Sequence, residues 1–274
     1  NDSILSCVGD SIQSLMEQGD KPVSGIGIGI PGLINREKGI ALRAGNLNYN
    51  DMPISNYILD RFKMQSYLEN DTNAGILGEK WFGQAKGLRD FVYIAIGTGI
   101  GGGLVFDGKL YLGKNNAGEI GHMIVDPHKK DCVCGSPGCI ESLASGTAIA
   151  RQAYERLKDG VPSSLLELLK KGQEVTAKEV FKAAELGDNL ALEVVREAAR
   201  HLAYTLTTLI NLLDPEVIIL AGSVSRDRKL LLESILKGAP TAGMKAHFEK
   251  RIRFSQWTNG IIGAASVVLE SQHI

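Results

Sequence analysis

Residues 118–142 read GEIGHMIVDPHKKDCVCGSPGCIES, and this stretch carries the most specific information in the chain. It contains three cysteines, Cys132, Cys134 and Cys139, which follow a histidine, His122. Three thiolates and one imidazole fill the tetrahedral shell of a structural Zn²⁺ ion and leave no open position for a catalytic water. The segment therefore predicts a structural zinc knuckle.

The alternative for these cysteines is oxidised or free thiols. Cys132 and Cys134 are too close in sequence to pair without strain, and pairing either one with Cys139 leaves the other alone. Cys7 is the only further cysteine, and four cysteines are too few for a disulfide scaffold in 274 residues. The spacing favours a bound zinc ion over the alternative.

Composition and charge are those of an ordinary globular protein. The net charge at pH 7 is −1, and the Lys and Arg residues are dispersed, so the chain carries no electrostatic footprint for nucleic acid. The longest apolar runs, such as 217–220, are far too short to span a bilayer. We expect a cytoplasmic protein without a membrane partner.

The chain alternates between strand-like and helix-like patterns, which predicts an α/β protein with a mixed sheet. A polar, glycine-rich stretch at 83–89 is the best candidate boundary and predicts a smaller lobe at 1–88 and a larger lobe at 89–274. Residues 31–50 are expected to be irregular. The predicted helices are 3–18, 54–62, 74–82, 147–157, 165–171, 177–186 and 189–213, and the predicted strands are 23–30, 66–69, 91–96 and 217–220.

Asn70 and Asp71 lie between a short predicted strand and a predicted helix. One interpretation is that Asp71 or Thr72 caps the helix. The other is that Asp71 stands at the carboxyl end of a strand, where open α/β sheets bind ligands. There it could accept the proton of a substrate hydroxyl that attacks a phosphoryl group, while Asn70 binds a polyol. Spacing alone leaves both interpretations open.

The run GTGIGGG at 97–103 has the spacing of a dinucleotide-binding fingerprint. It leads into the hairpin-like LVFDGKLY at 104–111, however, whereas a Rossmann turn opens a helix. We expect its backbone amides and the Thr98 hydroxyl to contact a phosphate, with a purely structural turn as the alternative. Gly222 and Ser223 follow a buried strand and either approach a nucleotide base or form an ordinary strand end.

Carboxylates bracket the cysteine segment, Glu119 at its beginning and Glu141 at its end. If His122 binds zinc through one ring nitrogen, the other nitrogen is a fixed donor that can face a ligand oxygen. The segment is therefore also a candidate wall of a polar ligand pocket.

These motifs together resemble the ROK family, which groups sugar kinases and sugar-responsive repressors on the two-lobed actin/hexokinase-like (ribonuclease H-like) fold. The resemblance runs from IGIGIPGLI at 26–34 to GIIGAAS at 260–266. The zinc signature CVCGSPGCIE at 132–141 is highly specific, and ENDTNA, GTGIGGG and AGEIGH each match a family motif in order. The pattern is most similar to that of bacterial-type ROK glucokinases.

The resemblance implies transfer of the γ-phosphate of ATP, with Mg²⁺, to a hexose, and Asp71 as the general base. It also implies that a C-terminal helix at 260–272 joins the smaller lobe and that the protein is a homodimer or homotetramer. The implied hexose-binding residues are Asn46, Asn70, Asp71, Glu119, His122 and Glu141. The implied ATP-binding residues are Gly97, Thr98, Gly99, Gly101, Gly102, Gly222 and Ser223, and the implied zinc ligands are His122, Cys132, Cys134 and Cys139.

The chain also departs from the kinase pattern. Kinases of the family begin with a strand that ends in a DxGGT-like phosphate loop, and no such motif occurs here, so we expect N-terminal strands of the smaller lobe to be missing and phosphate transfer by this chain to be weak. In addition, AGN at 44–46 replaces the usual proline before the sugar-binding Asn, and AGS at 221–223 replaces a glycine triplet.

The alternative function is the sugar-binding effector domain of a ROK-type transcriptional repressor without kinase activity. Such a protein would bind DNA only through an upstream helix-turn-helix. The segment IPGLI at 30–34 resembles the repressors, whereas Asp71 and the helical insert at 147–190 resemble the kinases.

Overall fold

The computed structural model describes residues 1–19, 21–44, 47, 49–115, 117–226, 228–256 and 260–272. The chain divides into two compact units, one formed by Asn1–Gly87 with Asn259–Ile274 and the other by Leu88–Thr258. Each unit buries its own apolar side chains. In the described ranges, every helix is too short or too polar to cross a membrane.

Helices and strands alternate through much of the chain. The helices are α1 Asp2–Gln18, α2 Ile54–Phe62, α3 Asp71–Phe82, α4 Ile140–Ala144, α5 Gly146–Lys158, α6 Leu166–Lys170, α7 Ala177–Glu185, α8 Asn189–Leu213, α9 Arg228–Gly238, α10 Ala242–Arg251 and α11 Ile261–Gln272. The strands are β1 Ile26–Ile30, β2 Leu33–Asn35, β3 Ile40–Arg43, β4 Asn50–Met52, β5 Ser66–Asn70, β6 Phe91–Ile96, β7 Ile100–Phe106, β8 Lys109–Tyr111, β9 Val217–Ala221 and β10 Ile252–Phe254.

The first unit contains two small sheets. β1 and β5 pair in parallel, so that Ile30 lies opposite Asn70 at their carboxyl ends. β2, β3 and β4 form an antiparallel sheet. Because β2, β3 and the first residue of β4 lie in the stretch 31–50, the expectation that this stretch is irregular is wrong. These strands are three or four residues long, too short for an alternating pattern to show in the sequence.

The second unit is built on a five-stranded mixed sheet in the order β10-β9-β6-β7-β8. β6 pairs antiparallel with β7 and parallel with β9, so the carboxyl ends of β6 and β9 lie side by side. Helix α8 packs its apolar residues into the same core. Asp188 caps α8 by accepting the Ala191 amide, and the helix ends at Leu213, followed by the C-cap Asp214 and Pro215.

Most of the long elements agree with the sequence pattern, but α3 begins at Asp71 instead of 74. Its cap is Asn70, whose Oδ1 accepts the amides of Thr72 and Asn73 at 2.9 and 3.3 Å. The interpretation in which Asp71 or Thr72 caps the helix is therefore wrong by one residue. The sequence pattern also missed α4, α9, α10 and β10, of which α4 and β10 are only five and three residues long.

Helix α11 approaches β1 so closely that it requires a glycine. A Cβ at Gly27 would lie 1.9 Å from the Ala264 carbonyl oxygen, a backbone atom of α11. We expect Gly27→Ala to lower the free energy of unfolding by about 1–3 kcal/mol, the usual cost of overpacking. Thermal denaturation would measure the loss. Gly260→Ala is the matched control in the same unit, because a Cβ there meets no atom of the described residues within 4 Å.

A buried histidine lies in the core of the second unit. His201 on α8 is 2% exposed, and its Nδ1 atom finds no partner in the part of the chain that the structure describes. Its Nε2 lies 3.9 Å from an Asp126 carboxylate oxygen. Burial lowers the pKa of this imidazole, Arg200 and Lys129 act in the same direction, and Glu197 and Asp126 oppose them.

Because the folded state binds this proton less well than the unfolded chain, stability falls as the pH drops below the unfolded value of about 6.5. We expect the unfolding temperature to decrease between pH 7 and 5.5, and His201→Leu to flatten that slope. A slope in His201→Leu as steep as in the unaltered protein would contradict the assignment.

Candidate functional site

Asn70 and Asp71 lie at the carboxyl end of β5 and at the beginning of α3. Both acceptor positions of the Asn70 amide are taken by the helix, and its Nδ2 donates to the Gly32 carbonyl at 3.2 Å. Asn70 is thus a structural cap that retains one N–H for a ligand.

The Asp71 carboxylate is exposed, and one of its oxygens accepts the Thr72 amide at 2.8 Å. Its charge acts on Tyr49, whose pKa is raised first by burial of the phenol and then by Asp71. The Tyr49 hydroxyl donates to the Pro31 carbonyl in the loop after β1. Asp71 therefore lies near a buried tyrosine, and a substrate can reach it from solvent. Asn46, the other hexose-binding residue predicted in this unit, lies outside the described residues.

In the second unit, the ligand atoms of His122, Cys132, Cys134 and Cys139 all lie within 4.8 Å of one another. The Cys132 Sγ lies 3.7 Å from the His122 Nδ1, and the Sγ atoms of Cys134 and Cys139 are 3.6 Å apart. In a tetrahedral zinc site with Zn–S bonds of about 2.3 Å, sulfur atoms lie about 3.8 Å apart. The cluster could therefore hold a metal ion, and its sulfur atoms are too far apart for a disulfide.

The loop that carries the thiols is closed by its own backbone. The Cys132 amide donates to the Ser136 carbonyl, and the Gly135 amide donates back to the Cys132 carbonyl. Gly138 has a φ of +62°, and a Cβ there would lie 1.7 Å from the Asp126 carbonyl oxygen. This position needs glycine both for its conformation and for its close contact.

The three thiols differ in acidity. Burial raises the pKa of Cys132, and it raises that of Cys139 to about 12, with hydrogen bonds from the other two thiols adding to the effect. The Ser136 backbone lowers the pKa of the exposed Cys134 to about 7. A cation bound here must displace protons, so its affinity falls as the pH falls.

The glycine-rich run forms the turn between β6 and β7. Gly97, Thr98 and Gly99 make the turn itself, whereas Gly101 and Gly102 lie within β7, opposite Ala95 and Ile94. A Cβ at Gly102 would lie 2.6 Å from the Ile120 side chain, so packing explains this glycine. Within the described residues, the amides of Thr98 and Gly99 donate to no acceptor.

Glu141 joins the cysteine loop to this turn. It lies in the first turn of α4, two residues after Cys139, and its Oε2 accepts the Ile100 amide at 2.8 Å. A Cβ at Gly99 would lie 2.4 Å from the same oxygen. Glu119 and His122 are exposed at the two ends of a short 3-10 turn that follows β8 in the chain. The structure thus connects the cysteine loop, through Glu141, to the glycine-rich turn.

Gly222 and Ser223 follow β9, beside the end of β6, and are exposed. Gly222 has a φ of +89°, and a Cβ there would lie 2.4 Å from the Ile96 carbonyl oxygen. Sequence reasoning missed Gly146 at the beginning of α5, whose amide donates to the Gly97 carbonyl at 2.7 Å. Its signal was the helix-capping Ser145 directly before it.

Sequence reasoning also missed Glu69 and Arg36 in the first unit. Glu69 is 6% exposed, and its carboxylate pairs with the Arg36 guanidinium. Its signal was a charged residue inside a short strand, between the buried Leu68 and Asn70.

The sequence matches the model of the ROK family over residues 1–271. The chain belongs to the ROK family. It is 39% identical to the glucokinase of Halalkalibacterium halodurans over 82% of this chain and 66% of that protein. It is 33% identical to the xylose repressor of Caldicellulosiruptor bescii over 80% of this chain and 55% of that protein. The chain thus spans about two thirds of the first relative and about half of the second.

Solved structures agree with this family assignment. A ROK family glucokinase from Streptomyces griseus, crystallised with glucose and AMPPNP, superposes with a TM-score of 0.81 at 29% identity. The match covers 100% of this chain and 88% of that one. The expectation of an actin/hexokinase-like α/β fold is therefore confirmed for this ROK protein.

The arrangement of the cysteine cluster predicts that the purified protein contains zinc. We expect the protein, purified without chelators, to hold close to one equivalent of zinc per chain by elemental analysis, and to release it as the pH falls from 7.5 to 5.5. Cys134→Ser should lose the ion, because it removes the exposed thiolate. Cys7→Ser replaces a thiol on α1 outside the cluster and should keep it. Metal-free protein that folds and binds ligands normally would contradict the prediction.

Proposed function

We propose that this chain binds a hexose and takes part in transferring the γ-phosphate of ATP to one of its hydroxyls, as a ROK sugar kinase. The observation that carries the proposal is the exposed carboxylate of Asp71, which the Asn70 cap places at the carboxyl end of β5. The 39% identity to a glucokinase supports it.

Asp71 is assigned as the general base. Its exposed carboxylate accepts the proton of the attacking sugar hydroxyl as the new bond to phosphorus forms. Asn70 keeps one N–H with which to donate to a second hydroxyl and so to orient the sugar.

The remaining hexose-binding residues are assigned as Asn46, Glu119, His122 and Glu141. The exposed Glu119 offers carboxylate acceptors for sugar hydroxyls. Glu141 uses one oxygen for the Ile100 amide and keeps the other for a ligand. His122 donates from Nε2 if its Nδ1, the atom nearest to Cys132, binds the metal.

The metal is assigned as a structural Zn²⁺ ion held by His122, Cys132, Cys134 and Cys139. Three sulfurs and one nitrogen form a closed tetrahedral set, and the spacing of their atoms fits it. The ion would hold the loop closed and fix the orientation of the His122 ring.

The glycine-rich turn is assigned to the phosphates of ATP, through the residues Gly97, Thr98, Gly99, Gly101 and Gly102. Its two amides without an acceptor, those of Thr98 and Gly99, are the donors that a phosphate needs. ATP with Mg²⁺ supplies the phosphoryl group and neutralises its charge. Gly222 and Ser223, at the neighbouring strand end, are assigned to the adenosine.

The second candidate is the sugar-binding effector domain of a ROK repressor without kinase activity. The 33% identity to a xylose repressor favours it. Both functions use the same hexose-binding residues, and they differ in whether the bound sugar is phosphorylated.

A coupled ADP-release assay over a panel of hexoses tests the kinase directly. We expect turnover with at least one hexose in the full natural chain, and a loss of about 10²-fold or more in Asp71→Asn, because the amide cannot accept the proton. Isothermal titration with the same hexose should show that Asp71→Asn still binds it.

The matched control is Asp60→Asn, which removes an exposed carboxylate on α2 in the same unit. Its turnover should equal that of the unaltered protein. Hexose binding without turnover by the unaltered protein would reject the kinase and favour the repressor domain, and equal turnover in Asp71→Asn would reject Asp71 as the base.

A further inference from the structure

A buried ion pair lies directly behind the Asn70-Asp71 segment. Glu69, the residue before Asn70 on β5, has a side chain that is only 7% exposed. Arg36, in the turn after β2, donates to both of its oxygens, from Nε to Oε2 at 2.6 Å and from the terminal nitrogen to Oε1. Burial of a carboxylate is expensive, and the two parallel charge-assisted hydrogen bonds from Arg36 both compensate that cost and fix the orientation of the Glu69 carboxylate.

The same carboxylate also holds the segment that follows it. Its Oε1 accepts the Asn70 amide at 2.8 Å and the Asn73 side-chain amide at 2.9 Å. It therefore fixes the backbone at Asn70 and the first turn of α3, the two elements that aim the Asp71 carboxylate.

The loop on the other side of β2 is also tied to Asn70. The carbonyl of Gly32, directly before β2, accepts the Asn70 Nδ2 at 3.2 Å. The preceding Pro31 carbonyl accepts the Tyr49 hydroxyl. The two loops that flank β2 are thus joined to the end of β5 at separate points, one through Arg36 and Glu69 and the other through Gly32 and Asn70.

We propose that Arg36 and Glu69 are positioning residues for hexose binding, and that they hold Asn70 and Asp71 in the geometry that the sugar requires. The inference rests on the proposed hexose-binding role of Asn70 and Asp71. Neither Arg36 nor Glu69 needs to touch the sugar, because both act through the backbone of Asn70 and the first turn of α3.

The chain contains a matched ion pair for comparison at the other end of α3. The Lys80 ammonium lies 2.7 Å from the Glu270 carboxylate, and the two side chains are 21% and 16% exposed. This pair joins α3 to α11, and Lys80 is eleven positions along the chain from Glu69. If Arg36–Glu69 only stabilised the fold, loss of either pair would have the same effect on sugar binding.

The test compares Arg36→Met with Lys80→Met by isothermal titration of the hexose and by steady-state kinetics. We expect Arg36→Met to weaken hexose affinity by about tenfold or more and to raise the KM for hexose while the KM for ATP stays constant. Lys80→Met should stay within about twofold in affinity even where its unfolding temperature falls equally. Arg36→Lys should recover part of the loss, because it keeps the charge but not the two parallel hydrogen bonds.

Deuterium exchange over residues 66–75 gives a second readout that needs no sugar. We expect Arg36→Met to speed exchange in this segment and Lys80→Met to leave it unchanged. If the unaltered protein binds no hexose, the proposed function fails, and this exchange measurement alone decides whether the pair holds the segment.

Equal hexose affinity, or equal exchange over 66–75, in Arg36→Met and Lys80→Met would overturn the inference. Should Arg36→Met fail to fold, Glu69→Gln replaces it, with Glu270→Gln as its control. Glu69→Gln keeps the shape and one acceptor oxygen and loses the charge that Arg36 needs, so it should weaken hexose affinity in the same direction while Glu270→Gln does not.

Discussion

The hydrogen bond from the Ile100 amide to the Glu141 carboxylate is the contact on which the second unit's candidate site depends. Glu141 follows Cys139 by two residues, so the contact couples the cysteine loop to the turn between β6 and β7. The turn can approach that carboxylate only because Gly99 has no side chain. A metal ion in the cysteine cluster would therefore stiffen the glycine-rich turn as well as its own loop, since both are attached to the beginning of α4.

In the first unit, side-chain hydrogen bonds hold the candidate carboxylate Asp71 in place. The Asn70 side-chain oxygen accepts amides at the beginning of α3, and its Nδ2 donates to the loop after β1. The Glu69 carboxylate accepts the Asn70 backbone amide. Asp71 is left as the exposed carboxylate of the segment. Two polar side chains, Asn70 and Glu69, thus hydrogen-bond to the backbone and hold the Asp71 carboxylate where it can react with a ligand.

Local patterns predicted those elements whose formation depends on neighbouring residues. The 25-residue helix α8 has a long apolar period, a capping Asp188 and a terminating Asp214-Pro215, and all three are visible in the sequence. The sheet of β2, β3 and β4 was missed, because each strand is stabilised by pairing with its neighbours and carries almost no pattern of its own. The sequence pattern also predicts the beginning of α3 three residues late, because the apolar residues of this helix start only at Ala74, after the polar first turn that Asn70 caps.

The sequence by itself determined the family, the α/β class and the set of side chains that can bind metal, because spacing along the chain is enough to recognise the motif at 132–141. Only the tertiary structure decided how these side chains are used. It showed that Gly102 serves packing, that Glu141 holds the Ile100 amide and that Glu69 is paired with Arg36. Each of these contacts joins residues far apart in the chain, and such partners are chosen by the packing of whole strands and helices, which no local pattern records.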